Sequence, residues 1–262
     1  MSDGPHCARC VGSWPPVVAP AAPGAWLRPP LTLGRWAAAL LALVALTDLF
    51  AVWTDHRMYA LVDERAAAGA TVIDVYTTND TSLLIAAAGL AQALAFVAAG
   101  AVFLIWFRRV RGNAEGFSPG GLEKSPGWAI GGWFVPVANL WFPRQIAGDI
   151  WRASERPGVP SSEVLLNLWW TLWLGSWALG RIASRAYDSA FEGDAAPVDA
   201  ASDGLLWMMA SDGFDAVAAV VAAMFVLRLS ATQHDKAMDL AATVPAAGVP
   251  VPPASPVPPH GS

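Results

Sequence analysis

Hydrophobic residues are gathered into four long blocks separated by shorter polar stretches. The first, residues 36–53 (WAAALLALVALTDLFAVW), carries tryptophans at both ends, where an aromatic belt at two membrane interfaces would place them. The second, 83–107, ends on Trp106, and Arg108, Arg109 and Arg111 follow. Its Ala87, Ala91, Ala95 and Ala99 form a small-residue face that lets another helix approach closely. A further block at 164–180 sets Trp169, Trp173 and Trp177 on one helix face, a pattern for packing or lipid contact, with a tryptophan-lined ligand face as the alternative. The last, 205–227, is long enough to cross a bilayer but contains Asp212 and Asp215. The expected fold class is all-α: a polytopic membrane helix bundle of four spanning helices.

Between the second and third long blocks lies a segment that breaks this pattern, GWAIGGWFVPVANLWFPRQIAGDIWRAS from Gly127 to Ser154. Its apolar part, 128–142, reaches only about 22 Å as a helix at 1.5 Å per residue, short of the roughly 30 Å hydrocarbon core. Pro136 removes a backbone hydrogen bond and bends a helix, and Asn139 is positioned to satisfy a carbonyl freed by the bend. Past Pro143, suited to a first helical turn, Ile146, Ala147, Ile150, Trp151 and Ser154 share one face. Arg144, Gln145, Asp149, Arg152 and Glu155 share the other, as in a helix lying in a membrane interface. Asp149 and Arg152, three apart, are set to pair. The expectation is a re-entrant or interfacial helical hairpin.

Basic residues choose between crossing and returning, because positive charge stays on the cytoplasmic side. If 128–142 crosses, nine lysines and arginines face inward and seven outward; if it returns, the division is twelve to four. The second arrangement puts both acidic loops (54–82 and 181–204) outside and both termini in the cytoplasm.

Composition fits this picture: 55% of residues are hydrophobic and only 14% charged, against about 25% charged in soluble domains. The net charge of −5 offers no basic footprint for nucleic acid. Residues 1–34 and 241–262 are proline- and alanine-rich and read as disordered tails flanking an integral membrane domain at 35–240. Cys7 and Cys10 form a lone CxxC, half the ligand set of a structural zinc, and the four histidines form no cluster, so neither metal nor other cofactor is expected.

Catalytic signatures such as HExxH, GxSxG or a P-loop are absent, and the chain is not expected to be an enzyme. Two functions from different classes remain. One is a hairpin and amphipathic helix that bind anionic lipid headgroups or a membrane-protein partner through the basic face of 143–156. The other is a small proton-coupled transporter or channel using Asp212, Asp215 and Asn167, since an ionisable group within a span is a functional candidate by default. Against the second stands a helix that begins near residue 214, leaving Asp212 in water; Asp48 is expected near the outer end of its span. Gln92 is expected to bond between helices.

Trp133, Pro136, Asn139, Pro143, Trp151, Arg152 and Ser154 together resemble the signature of a bacterial membrane family, the domain of unknown function 4328 family, with its W-x-x-P-x-x-N-x-x-x-P core and W-R-x-S ending. The closing VLRLSATQ, with Arg228 and Gln233, is similar to the end of that family's last helix. The likeness covers roughly 36–235. It implies an integral protein of the bacterial plasma membrane and no assigned activity. Some relatives begin with a zinc-ribbon-like segment, from which the lone CxxC departs.

Overall fold

A computed structural model describes residues 27–69, 71–78, 80–156, 158, 162–190 and 197–243; the CxxC and most of both tails lie outside them. All its elements are helical. In chain order they are α1 (Leu31–Ala67), α2 (Val72–Thr78), α3 (Thr81–Phe117), α4 (Trp128–Phe134), a 3-10 turn (Ala138–Leu140), α5 (Phe142–Ser154), α6 (Val164–Ala190) and α7 (Val198–Thr243).

The four long helices run alternately up and down. Taking the start of α1 as the lower end, Gly34 lies against Ser230 of α7 and Trp106 of α3, whose Nε1 donates to Ser230 Oγ at 2.9 Å. At the upper end Met58 and Val62 of α1 pack with Val72 and Val75 of α2 and Ala201 and Leu205 of α7. α6 rises from Trp169, stacked on Phe225 at 4.5 Å, to Tyr187, which crosses Gly204. A Cβ on Gly204 would stand 3.1 Å from the Tyr187 Cα, and one on Gly175 would stand 2.8 Å from the Phe214 ring, so missing side chains bring α6 and α7 together. In mid-bundle Ala95 and Ala99 meet Val44, Ala45, Ala216 and Ala219. The small-residue face predicted for α3 is thus half correct, since Ala87 is exposed.

Three helices, α1, α3 and α7, are long and apolar enough to cross a membrane, where four were expected. α6 traverses the same height, but its tryptophans, Asn167, Ser176, Arg181 and Arg185 dilute its hydropathy. Outward-facing positions elsewhere are apolar: Leu46, Leu49 and Trp53 on α1, Leu94, Phe96 and Val97 on α3, Val217 and Met224 on α7. A surface of this extent is costly in water and suits lipid.

Every long helix outruns its hydrophobic block. α1 continues past residue 53 to Ala67 and α7 begins at Val198, well before residue 205. Hydrophobicity marks the part that needs lipid, whereas the helix continues wherever neighbours satisfy its polar turns. Two expectations change as a result. Asp48 sits near the centre of α1, and the proposed helix start near residue 214 is excluded: Asp212 is buried well inside α7.

The broken segment does not cross as one helix. α4 ends at Phe134, Val135 is extended, and the chain turns through Ala138–Leu140 into α5. Asn139 does not take up a freed carbonyl; its backbone N–H bonds Val135 O at 2.8 Å and its side-chain oxygen is unpartnered. The predicted apolar face of α5 is the buried one, but it packs against protein, where an interfacial helix would turn it to lipid. Ile146, Ala147, Ile150 and Trp151 join the core with Phe107 and Val110 of α3 and Phe225 and Leu229 of α7.

A buried polar network fastens this lower end. The fully buried Gln233 accepts from Asn113 Nδ2 at 3.1 Å and donates to Val110 O at 2.9 Å and to Ser154 Oγ at 3.1 Å. Lys236 donates to Ala153 O and Glu155 O at the end of α5. Because buried polar groups left alone cost about 1–3 kcal/mol each, Gln233→Leu is expected to lower stability by about 3 kcal/mol. Denaturant unfolding in detergent should show this loss, while Met238→Ala, at an exposed position of the same helix, leaves the midpoint unchanged.

Candidate intramembrane binding chamber

The site is built where helices fail to close. α1 and α7 pack along their length, as do α6 and α7, but the backbones of α3 and α6 stay apart. The gap is a chamber of about 670 Å³. Leu41, Val44 and Asp48 of α1 and Asp215, Ala218 and Ala219 of α7 form its back. Phe96, Gly100 and Phe103 of α3 face Trp173, Ser176 and Trp177 of α6, and Trp133 and Phe134 of α4 and Asn139 of the 3-10 turn make the floor. Phe96, Phe134 and Trp177 are also exposed on the outer surface, so the chamber opens sideways between α3 and α6.

Trp133 acts as the wedge. Its indole meets Phe103 at 5.5 Å and Phe107 at 6.0 Å on one side, and Trp173 at 5.5 Å on the other, all edge-to-face. Edge-to-face contacts of this kind contribute about 0.5–1.5 kcal/mol each beyond buried area.

Above the floor lie three carboxylates. Gln92 Nε2 donates to Asp48 Oδ1 at 3.0 Å and to Asp212 Oδ1 at 3.1 Å, one amide serving two helices. Asp48 and Asp215 face the chamber, while Asp212 stands behind Gln92. Ser176 stands beside the Asp215 carboxylate without a hydrogen bond of good geometry. Five buried polar atoms lining this one chamber have no partner in the structure: Asp48 Oδ2, Asp215 Oδ1, Ser176 Oγ, Trp133 Nε1 and Asn139 Oδ1. Buried polar atoms are nearly always satisfied, so their concentration makes this chamber the candidate functional site.

Sequence-predicted residues divide into two groups. Trp133, Asn139 and Asp215 meet at the chamber, with Asp212 adjoining it through Gln92. Pro136 lies at the break, and Pro143 is buried where α5 begins. The others hold the lower end together. Trp151 stacks on Phe225 at 6.0 Å, Ser154 accepts from Gln233, and Arg152 pairs with Asp149 at 2.6 Å and Glu163 at 3.1 Å. Asn167, expected inside the bundle, is exposed and accepts from Arg144 at 2.6 Å; Arg144 also pairs with Glu163 at 2.9 Å. Arg156 pairs with Asp235 and Asp239. The basic face foreseen for headgroups is therefore engaged within the protein. Asp48 and Ser176 escaped the sequence reading as chamber residues, although Asp48 lies inside an otherwise uncharged run. Trp173 and Trp177 fit the ligand-face alternative given for α6. Among the described residues no group of three or more His, Cys, Asp or Glu is arranged to hold a metal.

The sequence profile of a family described as a domain of unknown function, DUF4328, matches residues 70–231, which hold α2 to α6 and most of α7. No curated protein and no solved structure matches this chain.

The double role of Gln92 is testable. Gln92→Leu strands two carboxylate oxygens, and hydrogen bonds to charged groups contribute about 1.5–3 kcal/mol. A loss of about 3 kcal/mol is expected in detergent unfolding, and Asp48→Asn in the Gln92→Leu background should recover part of it.

Proposed function

The chain belongs to the DUF4328 family, and from that premise we propose that it is a multi-pass protein of the bacterial plasma membrane, a small proton-coupled carrier whose chamber lies between α3 and α6. In this reading α6 is the fourth crossing and both termini are cytoplasmic. The hairpin α4–α5 enters and leaves on that same side. The packing of α6 along α7 from Trp169 against Phe225 to Tyr187 against Gly204 supports the fourth crossing, and twelve basic residues against four support the orientation. Exposed Phe134, Val137, Leu140 and Trp141 support lipid contact by the hairpin tip, through apolar side chains in place of the arginines.

The observation that carries the carrier reading is the placement of Asp48, Asp212 and Asp215 at mid-bundle with a single amide between them and no basic residue lining the chamber. Anionic charge in a low-dielectric site must be balanced by a bound proton or cation, and ionisable residues within spans mark ion and substrate pathways. The chamber opens sideways between α3 and α6, which suits a ligand that arrives from lipid.

Dicyclohexylcarbodiimide, a lipid-soluble reagent for protonated carboxyl groups, is expected to modify Asp48 or Asp215 in membranes. Mass spectrometry should locate the adduct and show it vanish in Asp48→Asn and Asp215→Asn. Labelling confined to exposed acids outside the chamber, such as Asp63 near the end of α1, would remove the chemical basis of the proposal. Topology reporters after Gly158 and after Ala195 are expected on opposite sides, cytoplasmic and periplasmic respectively; a periplasmic signal after Gly158 would overturn the hairpin arrangement.

A further inference from the structure

The chamber's lining is graded, and the gradient specifies a ligand. From Gln92 to Phe103 the chamber follows about 16 Å of α3 at 1.5 Å per residue. Its upper part holds two carboxylates, Asp48 and Asp215, beside the Ser176 hydroxyl and the Gln92 amide, whose Nε2 is already bonded to Asp48 and Asp212. Asp48, at 5% exposure, directs Oδ2 inward without a partner, and Asp215 Oδ1 lies within electrostatic reach of it. No arginine, lysine or histidine lines the space to neutralise them. The middle is aromatic, with Phe103, Trp173 and Trp177, and the floor offers a donor, Trp133 Nε1, beside an acceptor, Asn139 Oδ1.

We infer that the chamber binds an amphipathic organic cation, with its positively charged centre against Asp48 and Asp215 and its apolar or aromatic body along the tryptophan wall. The inference rests on the carrier reading above and names the substrate class for that same site. Several features converge on it. A volume near 670 Å³ falls in the range of drug-sized ligand sites, about 300–1,000 Å³. Indole faces attract cations, more strongly where water is excluded. An inorganic ion would use the carboxylates but leave the long aromatic wall and the floor's polar pair without a role. A neutral apolar guest would leave the carboxylates unbalanced. The sideways mouth beside Phe96 and Trp177 admits a ligand already dissolved in the bilayer, where amphipathic cations collect. The same chemistry is carried by a free lipophilic amine and by the amine of a lipid headgroup.

The probe is tetraphenylphosphonium, whose charge is permanent and independent of pH, bound to the full chain in phosphatidylglycerol nanodiscs, with empty nanodiscs subtracted. One saturable site per chain is expected. Asp48→Asn and Asp215→Asn should each weaken it at least tenfold, Trp173→Leu several-fold, and Asp188→Asn, outside the chamber at the upper end of α6, not at all. Neutral triphenylphosphine oxide, which retains much of the aromatic body without the charge, should fail to compete at equal concentration. Since that comparison uses the unaltered protein, it stands even if a variant does not fold. Equal competition by the neutral compound, or unchanged affinity in the Asp48→Asn/Asp215→Asn double variant, would overturn the inference. Suppression of the site in phosphatidylethanolamine nanodiscs would assign it to a lipid amine, and unchanged binding there to a free cation; both uphold the cation class. Carbodiimide labelling without tetraphenylphosphonium binding sinks this inference alone, whereas binding without labelling sinks the proton-coupled reading alone.

Discussion

One indole keeps two helices apart. Trp133 enters the bundle from α4 and is gripped edge-on by Phe103 and Phe107 of α3 and by Trp173 of α6. Gly175 and Gly204 show how tightly α6 approaches α7 where nothing intervenes, whereas α3 meets α6 through rings, Phe103 against Trp169 at 6.0 Å. The wedge prevents the same closure between α3 and α6. Without that separation there is no chamber, and Asp48 and Asp215 would have no common space to face.

The wedge in turn depends on the chain's ability to reverse at bundle depth. A continuous helix through 128–142 would carry Trp133 past α3. The extended Val135 and the following proline end α4 after a few residues, and the 3-10 turn brings Phe142 back against Gly132, whose Cβ would stand 3.2 Å from that of Phe142. Irregular backbone among apolar neighbours needs cover for its polar groups, and here α3 and α5 pack against this segment. α5 is held in its own right by the Gln233 network and by Lys236 against its last carbonyls.

Much of this was readable from residue order because the rules involved are local. Length, the placement of proline and the spacing of apolar side chains along 143–154 mark a break in the helix and a second helix after it with one apolar face turned inward. The pairing of Asp149 with Arg152 follows from helical spacing alone. What escaped was tertiary. Which medium the apolar face of α5 meets depends on whether α3 and α7 reach down to it, and their length exceeds their hydrophobic blocks. Asn167 looked intramembrane because it interrupts an apolar run, yet it begins a helix beside Arg144 and Glu163. Asp48 looked peripheral because its run ends at residue 53, while the helix continues to Ala67. In each case the hydrophobic boundary was taken for the structural one.

A single segment therefore carries two unlike tasks. Its first half supplies the wedge and the unpartnered polar atoms of the floor, Trp133 Nε1 and Asn139 Oδ1. Its second half, ending in Trp151, Arg152 and Ser154, locks onto α3, α7 and the acids at Asp149 and Glu163. The floor's polar pair cannot be positioned by α4 alone, since that helix has only a few turns' worth of contact and begins and ends in loops. Its height in the bundle is set from below, by α5. This explains why the W-x-x-P-x-x-N core and the W-R-x-S ending occur together in one stretch: the first has geometric meaning only when the second fixes it. It also explains why the basic side chains of α5 are engaged with neighbouring acids. Arginines released to headgroups would leave the Glu163 carboxylate without its ion pairs and Asp149 with only the Glu123 N–H, loosening the support beneath Trp133.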